Sequence, residues 1–305
     1  MTRSFRAPKA LVYDACTKAE HLCRWQAPYK YKIENCEVDA KVGGLWKMTQ
    51  TDPEGAAYFF HGEFLELTPP DRIVSTFACE GFPGVMRQTL EFAEADGVTT
   101  ITVFAEFDSK EERDAMVDSG MEWGAGQSYD RLETQLMFEH DDPRYPRFAI
   151  TREFAAPKEL VWKAWTEAER LQKWWGPKGC SIRVAKLDLA PGGIFHYGME
   201  WEGHGVMWGR FIYRAIDPTD RLEFVNSFSD ETGGVTRAPF SANWPLEVLN
   251  VLTLTENDGK TVVHLEGGPI TGSAAELDQF CGFFESLNQG FGGTFDQLAD
   301  YLANA

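Results

Sequence analysis

The chain repeats itself. The run TRSFRAPKALVYDACTKAEHLCRWQAPYKYKIENCEVDAKVGG from Thr2 to Gly44 returns without a gap as TREFAAPKELVWKAWTEAERLQKWWGPKGCSIRVAKLDLAPGG from Thr151 to Gly193, an offset of 149 residues. A repeat of that length implies two copies of one domain. Arg3 and Arg152, Phe5 and Phe154, Ala7-Pro8-Lys9 and Ala156-Pro157-Lys158, Trp25 and Trp174, Asp39 and Asp188, and Gly43-Gly44 and Gly192-Gly193 all coincide. Farther on, Arg72 still pairs with Arg221, but the Asp-Gly turns at Asp96 and Asp258 stand 162 apart, so the second copy has gained loop length. The 305 residues suit two domains of roughly 150 each. The expected boundaries are 1–140 and 148–305, joined by a short polar, proline-bearing linker at 141–147.

Each copy opens with a short strand (Arg3 to Ala7; Arg152 to Ala156) stopped by a proline suited to the start of a helix. In the helix that follows, Leu160, Val161, Ala164 and Trp165 recur at i, i+1, i+4 and i+5, giving one face that can lie on a sheet. A second short helix carries Leu171, Trp174 and Trp175 and breaks at Gly176-Pro177. Alternating runs punctuated by Gly-Gly, Pro69-Pro70 and the Asp-Gly turns then predict an antiparallel meander of about six strands. Capping-box signals at Ser109 to Glu112 and Ser273 to Glu276 start the closing helices. Glycines at 120, 124 and 126, and at 290, 292 and 293, predict a kink before a longer terminal helix. This order of elements is that of an α+β domain.

Two copies allow a test of which face is inside, because an interior position should be apolar in both. Trp46 and Met48 align with Phe195 and Tyr197, whereas Lys47 aligns with His196, so the Trp46 face points inward and Lys47 and His196 point outward. Phe60, Gly62 and Phe64 are matched to Met207, Gly209 and Phe211, and Met86, Gln88, Leu90 and Phe92 to Val248, Asn250, Leu252 and Leu254. An amide thus stands among apolar neighbours in both copies, and Gln88 and Asn250 each require a hydrogen-bond partner. The candidate ligand-binding face of the second copy comprises Phe195, Tyr197, Met199, Trp201, Phe211 and Phe228 from strands, Phe284 and Phe291 from the closing helix, and Asn226 and Asn250 as polar groups. In the first copy the candidates are Trp46, Met48, Gln88 and Trp123. Aromatic stripes are usually core, yet a curved sheet under a long helix tends to enclose a cavity, and this lining suits an apolar or flat ring ligand.

The segments Ala156-Pro-Lys-Glu-Leu-Val-Trp-Lys-Ala-Trp-Thr166, Leu171-Gln-Lys-Trp-Trp-Gly-Pro177 and Asp188-Leu-Ala-Pro-Gly-Gly193, with the later Asp220-Arg-Leu222, closely resemble the AHSA-type family of the SRPBCC superfamily, which includes START and birch-pollen-allergen-like domains. The resemblance covers both copies almost entirely. It implies two helix-grip domains, each an antiparallel sheet wrapped around a long carboxy-terminal helix, with two short helices after the first strand and a pocket between sheet and helix. The first copy departs from the pattern: Trp25-Gln-Ala-Pro28 replaces Trp174-Trp-Gly-Pro177, and Cys16 stands where the second has Trp165, so its pocket is expected to be altered or filled. The activator that gives the family its name carries a separate amino-terminal domain with an asparagine and tryptophan motif, for which this sequence shows no counterpart. A chaperone partner is therefore an alternative carried by the family name alone.

Charge removes other classes of partner. With 29 basic and 47 acidic residues the net charge is −18, and no basic stripe suited to phosphate backbones is visible, which excludes nucleic acid as a main partner and disfavours anionic membranes. No run of about 18 apolar residues occurs and no charged-then-apolar leader opens the chain, so a cytoplasmic protein is expected. Cys16, Cys23, Cys36, Cys79, Cys180 and Cys281 lack CxxC spacing and do not recur between copies, and are read as buried, reduced thiols. His264-Leu-Glu266 and His61-Gly-Glu63 fall on the outward face, His204 lies in a Gly-rich connection, and no metal or cofactor motif is present. No catalyst is nominated, and Tyr197 is the one inward titratable group. Binding of a small hydrophobic molecule is the expected function, with a cyclase- or hydrolase-like enzyme or an interaction module as alternatives. Duplicated domains can also retain a two-fold interface, which makes an intramolecular pseudo-dimer an expectation.

Overall fold

A computed structural model describes residues 1–82, 84–203 and 205–305; His204 lies outside the described residues. The chain divides into two units, Met1–Asp141 and Asp142–Ala305.

The first unit runs β1 (Thr2–Phe5), α1 (Lys9–Ala15), α2 (Ala19–Trp25), β2 (Lys32–Val38), β3 (Leu45–Thr51), β4 (Ala57–Thr68), β5 (Arg72–Cys79), β6 (Met86–Ala95), β7 (Val98–Glu106), α3 (Lys110–Asp118) and α4 (Met121–Glu139). Its seven strands form one antiparallel sheet in the order β1-β7-β6-β5-β4-β3-β2, so six consecutive strands meander and β1 closes against the last. The second unit repeats this with β8 (Phe148–Phe154), α5 (Lys158–Thr166), α6 (Ala168–Trp174), β9 (Ser181–Leu187), β10 (Ile194–Glu200), β11 (Val206–Asp217), β12 (Arg221–Ser229), β13 (Val248–Asn257), β14 (Lys260–Pro269), α7 (Ala274–Gly282) and α8 (Phe284–Leu302), and its sheet order is β8-β14-β13-β12-β11-β10-β9. This is the helix-grip fold, twice.

The repeated residues are the fasteners of that fold. Lys9 and Lys158 each use the backbone N–H on a Glu, Glu94 or Glu256, and the ammonium on an Asp, Asp71 or Asp220, so one residue ties the start of a helix to two turns of the sheet. The indole N–H of Trp25 donates to Ala15 O and that of Trp174 to Ala164 O, both at 2.9 Å. Arg3 pairs with Asp130 on α4 and Arg152 with Asp296 on α8, clamping first strand to last helix. The Gly-Gly pair survives for steric reasons. Gly43 and Gly192 both have φ +79, and a Cβ on Gly44 or Gly193 would collide with the carbonyl of Asp39 or Asp188.

Several expectations need correction. The closing helices break at Gly120, which has φ +83, and at Phe283; Gly124 and Gly126 in α4, and Gly290, Gly292 and Gly293 in α8, lie within unbroken helix. Cys23 on α2 and Cys36 on β2 form a disulfide with Cα atoms 5.7 Å apart, and Cys180 and Cys281 are only half-buried; of the six, Cys16 and Cys79 are the buried thiols. His196 points away from the interior but is 5% exposed. The connection after β12 folds back over it, its Nε2 lies 3.1 Å from Asp230 O, and its ring stacks on Trp208. His61 is exposed, whereas His264 is half-buried with Thr151 2.8 Å from its Nδ1.

Candidate functional site

The inward faces of the two sheets are built on the same plan and filled differently. In the first unit Trp46 pairs with Gly62 and Met48 with Phe60; in the second Phe195 pairs with Phe211 and Tyr197 with Gly209. The offset of 149 therefore persists through β4 and β11, and the sequence match of Gly62 to Gly209 is out by two residues. A two-residue slip preserves the facing of every side chain, which is why the inward assignment survives although the partners change. Gly62 corresponds to Phe211, and Ser75 to Phe224. Each glycine lies under a ring: a Cβ at Gly62 would sit 2.6 Å from Trp46 Nε1, and one at Gly209 2.8 Å from the Tyr197 hydroxyl.

Four substitutions thus distinguish the interiors: Cys16 for Trp165, Gln26 for Trp175, Gly62 for Phe211 and Ser75 for Phe224. The shared arginine–aspartate clamp aligns Ala125 of α4 with Phe291 of α8 as a fifth. In the second unit the large members form a continuous stack, with centroids 5.5 Å apart from Trp165 to Trp175, 5.3 Å from Trp175 to Phe211 and 4.3 Å from Phe211 to Phe224. These are contact distances for aromatic rings. In the first unit Cys16, Gln26, Ser75 and Ala125 line a cavity of about 620 Å³ between sheet, α2 and the α3–α4 junction, a size suited to a drug-sized molecule, while Gly62 lies under the Trp46 ring. The departures at Cys16 and Gln26, expected to alter or fill the first pocket, create it.

The open end of each unit differs in the same sense. In the first, the turn after β5 is short, Phe82 is 43% exposed, α3 buries no residue, and Val117 and Trp123 are 54% and 62% exposed at the rim. In the second, the long connection after β12 lays Phe240 against Phe228 and Phe283, and Trp244 against Phe280 of α7. Ser273 and Glu276 complete a capping box on α7, and Arg237 from that connection pairs with Glu276. Ser109 Oγ caps α3 alone: Glu112 Oε2 is buried without a partner among the described residues and lies against Gly84.

The structure brings some of the candidate residues to the cavity and places others elsewhere. Trp46, Gln88 and Trp123 line it. Met48 is 2% exposed and belongs to the first core. Phe195, Tyr197 and Phe211, exposed by 0–3%, are core of the second unit, with Met199 packed on them. Phe228, Phe284 and Phe291 join Phe148, Trp244 and Phe280 in a separate aromatic cluster, and Trp201 is half-buried in the turn after β10. Asn250 donates to Val248 O at 2.9 Å, and Asn226 lies beside the Tyr197 hydroxyl. The emphasis on the second copy is thus corrected: its aromatic face is packed against itself. Gln26, Ser75, Phe77 and Tyr129 line the cavity unforeseen.

Polar groups in the cavity are few. Gln26 Oε1 is buried without a partner among the described residues, while Gln26 O accepts from Gln50 Nε2 at 2.7 Å. The side-chain amide of Gln88, whose backbone pairs with Ser75 and Ala105 in the sheet, makes no hydrogen bond among the described residues. Burial pushes the Cys16 thiol up to about 12 and raises the Tyr129 hydroxyl, and Cys79 is raised by burial and then by Glu80. In the second unit burial raises Tyr197 to about 12, opposed by its polar neighbours Trp175 and Asn226. Among the described residues no cluster of His, Cys, Asp or Glu could hold a metal ion.

Residues 6–137 and 155–303 both match the model of the family described as activator of Hsp90 ATPase homolog 1-like protein. The chain belongs to that family. No curated protein matches it. Similar solved structures include protein Ms6760 from Mycobacterium smegmatis, 29% identical over 53% of this chain and 93% of that one with a TM-score of 0.44. A protein from Arthrobacter aurescens is 22% identical over 54% and 91%, with a TM-score of 0.46. The di-domain ARO/CYC StfQ from the steffimycin biosynthetic pathway is 13% identical over 100% and 98%, with a TM-score of 0.47. The first two each span about half of this AHSA1-like chain, as a duplicated domain requires. No helix among the described residues is long and apolar enough to cross a membrane.

Proposed function

We propose that the first unit binds a small, largely apolar molecule between its sheet and α4, and that the second unit is the packed counterpart of this binding domain. The observation that carries the reading is the cavity of about 620 Å³ at the positions where the second unit holds a stack of rings. Its walls are apolar, with Trp46, Phe60, Phe77 and Met86 on the sheet side.

The lining supports binding over catalysis. Its titratable side chains are thiols, phenols and the carboxylate Glu122, joined at the lining by the Met1 ammonium, which donates to Val103 O, and burial drives the Cys16 thiol and Tyr129 phenol away from neutral pH. General acid–base work needs a group poised near the working pH. The test is titration of the full chain with pyrene, read by energy transfer from tryptophan. Wild type should bind saturably, and Ser75→Phe, which imports the residue of the second unit, should abolish binding while the protein stays folded. Absence of pyrene binding, or equal binding by Ser75→Phe, would overturn the proposal.

A further inference from the structure

A ladder of three side-chain pairs crosses the wall of the first-unit cavity where β5 meets β6. The register sets Ile73 opposite Leu90, Ser75 opposite Gln88 and Phe77 opposite Met86, and all six residues line the cavity. The outer two rungs are apolar. The middle rung places a hydroxyl and an amide side by side, on Cβ atoms about 4.5–5.5 Å apart as directly opposed residues stand. Val103 and Ala105, the β7 neighbours of Leu90 and Gln88, keep the surroundings apolar.

The protein uses neither polar group of that rung. The Ser75 hydroxyl and the Gln88 amide have no hydrogen-bond partner among the described residues, and, unlike Gln26 Oε1, neither is closed off from accessible surface. Both side chains stand on the inward face, so the surface they keep is surface of the cavity. Other polar side chains of the wall are engaged: Gln50 donates to Gln26 O, Ser119 to Met116 O and Ser128 to Gly124 O. In the second unit the same rung is Phe224 opposite Asn250. There a ring replaces the hydroxyl, and the buried Asn250 turns back to Val248 O at 2.9 Å.

Building on the binding function above, we propose that the first-unit cavity selects a ring molecule carrying a hydroxyl or carbonyl group, and that the Gln88 amide, with the Ser75 hydroxyl beside it, reads that group. An amide offers both a donor and an acceptor, so one side chain serves either a hydroxyl or a carbonyl. A bare ring laid over the rung strips water from the amide and returns no bond, whereas a ring with a hydroxyl or carbonyl at that edge replaces the water it displaces. Affinity comes from the apolar rungs and selectivity from the polar one.

The test compares pyrene, hydroxypyrene and pyrenecarbaldehyde on the full chain. Each polar probe is read as its affinity relative to pyrene, so that differences in water solubility cancel between protein variants. That ratio should be about tenfold higher in wild type than in Gln88→Leu and Gln88→Met, the worth of one net hydrogen bond, with both variants checked for a wild-type thermal transition. Pyrene itself should bind the variants at least as tightly as wild type. Tyr129→Phe, which removes a hydroxyl from the α4 side of the lining, should leave the ratio unchanged. If the ratio is the same in wild type and both Gln88 variants, if it falls with Tyr129→Phe instead, or if pyrene loses affinity in the Gln88 variants, the inference fails while the binding cavity stands. If no probe binds, or Ser75→Phe leaves pyrene binding unchanged, the cavity reading fails as well.

Discussion

The two units share the fasteners of the repeated segments and differ in what those fasteners enclose. The lysine bonds to Asp and Glu, the tryptophan bond to the preceding helix and the arginine clamp on the last helix recur pair by pair. The interior positions do not. Cys16, Gln26, Gly62 and Ser75 give way to Trp165, Trp175, Phe211 and Phe224, and a cavity gives way to a stack of rings. The shell of this fold therefore holds its shape largely independently of its filling, and one copy can hold a cavity where the other is packed without a change in the sheet order.

The comparison can be broken most strongly from the filled side. Phe224→Ala removes the end of a stack in which Phe224 is 3% exposed, and should cost about 3–5 kcal/mol of second-unit stability. Hydrogen exchange read by mass spectrometry should show the loss in the second unit alone. Cys23→Ser with Cys36→Ser removes a crosslink spanning a sequence separation of 13 that the second unit lacks, and should cost the first unit about 2–4 kcal/mol, read in the same way. A smaller effect, about 1 kcal/mol, is expected when Glu276→Gln weakens the cap of α7 and its pairing with Arg237, measured as faster exchange in α7.

Glu276 also predicts a dependence on pH. Burial pushes its carboxyl up, but bonds from Ser273 and the charge of Arg237 overcome this and leave it lowered from 4.5. A lowered carboxyl stabilises fully above its unfolded value and loses that contribution as pH falls through the folded one. Protection of α7 should therefore decline on acidification below about 4.5 in wild type and vary less in Glu276→Gln. The smallest effect sharpens the comparison from the open side. Ser75→Phe enters existing space and should change stability within about 1 kcal/mol, where overpacking a filled core costs about 1–3 kcal/mol.

The duplication, the strand order and the facing of the strands were legible in the sequence because each rests on periodicity or on local chemistry. Asp96-Gly97 and Asp258-Gly259 illustrate this: all four residues have positive φ, as two-residue hairpin turns demand. The site was less legible because it depends on distances between elements. A row such as Trp165, Trp175, Phe211 and Phe224 lines a pocket if its rings are held apart and fills it if they meet, and composition is the same in either case. The slip of two residues between β4 and β11 left no trace in the alternation, yet it concealed that Gly62 faces the place of Phe211. The Cys23–Cys36 pairing joins a helix to a strand, and the burial of His196 comes from a connection that returns from far along the chain; neither has a local signature. The departures at Cys16 and Gln26 are visible in the sequence and point to a pocket altered or filled, whereas both residues line an open cavity.

The crosslink from α2 to β2 has a kinetic consequence. It immobilises one wall of the cavity, the wall that carries Trp25 and Gln26. The lining also includes Met116 and Val117 of α3, a helix in which no residue is buried as a whole. A captured molecule would therefore leave past α3, and its residence time would follow how often that helix lifts, while the closure of α7 in the second unit is held by Leu277, Phe280 and the arginine bridge.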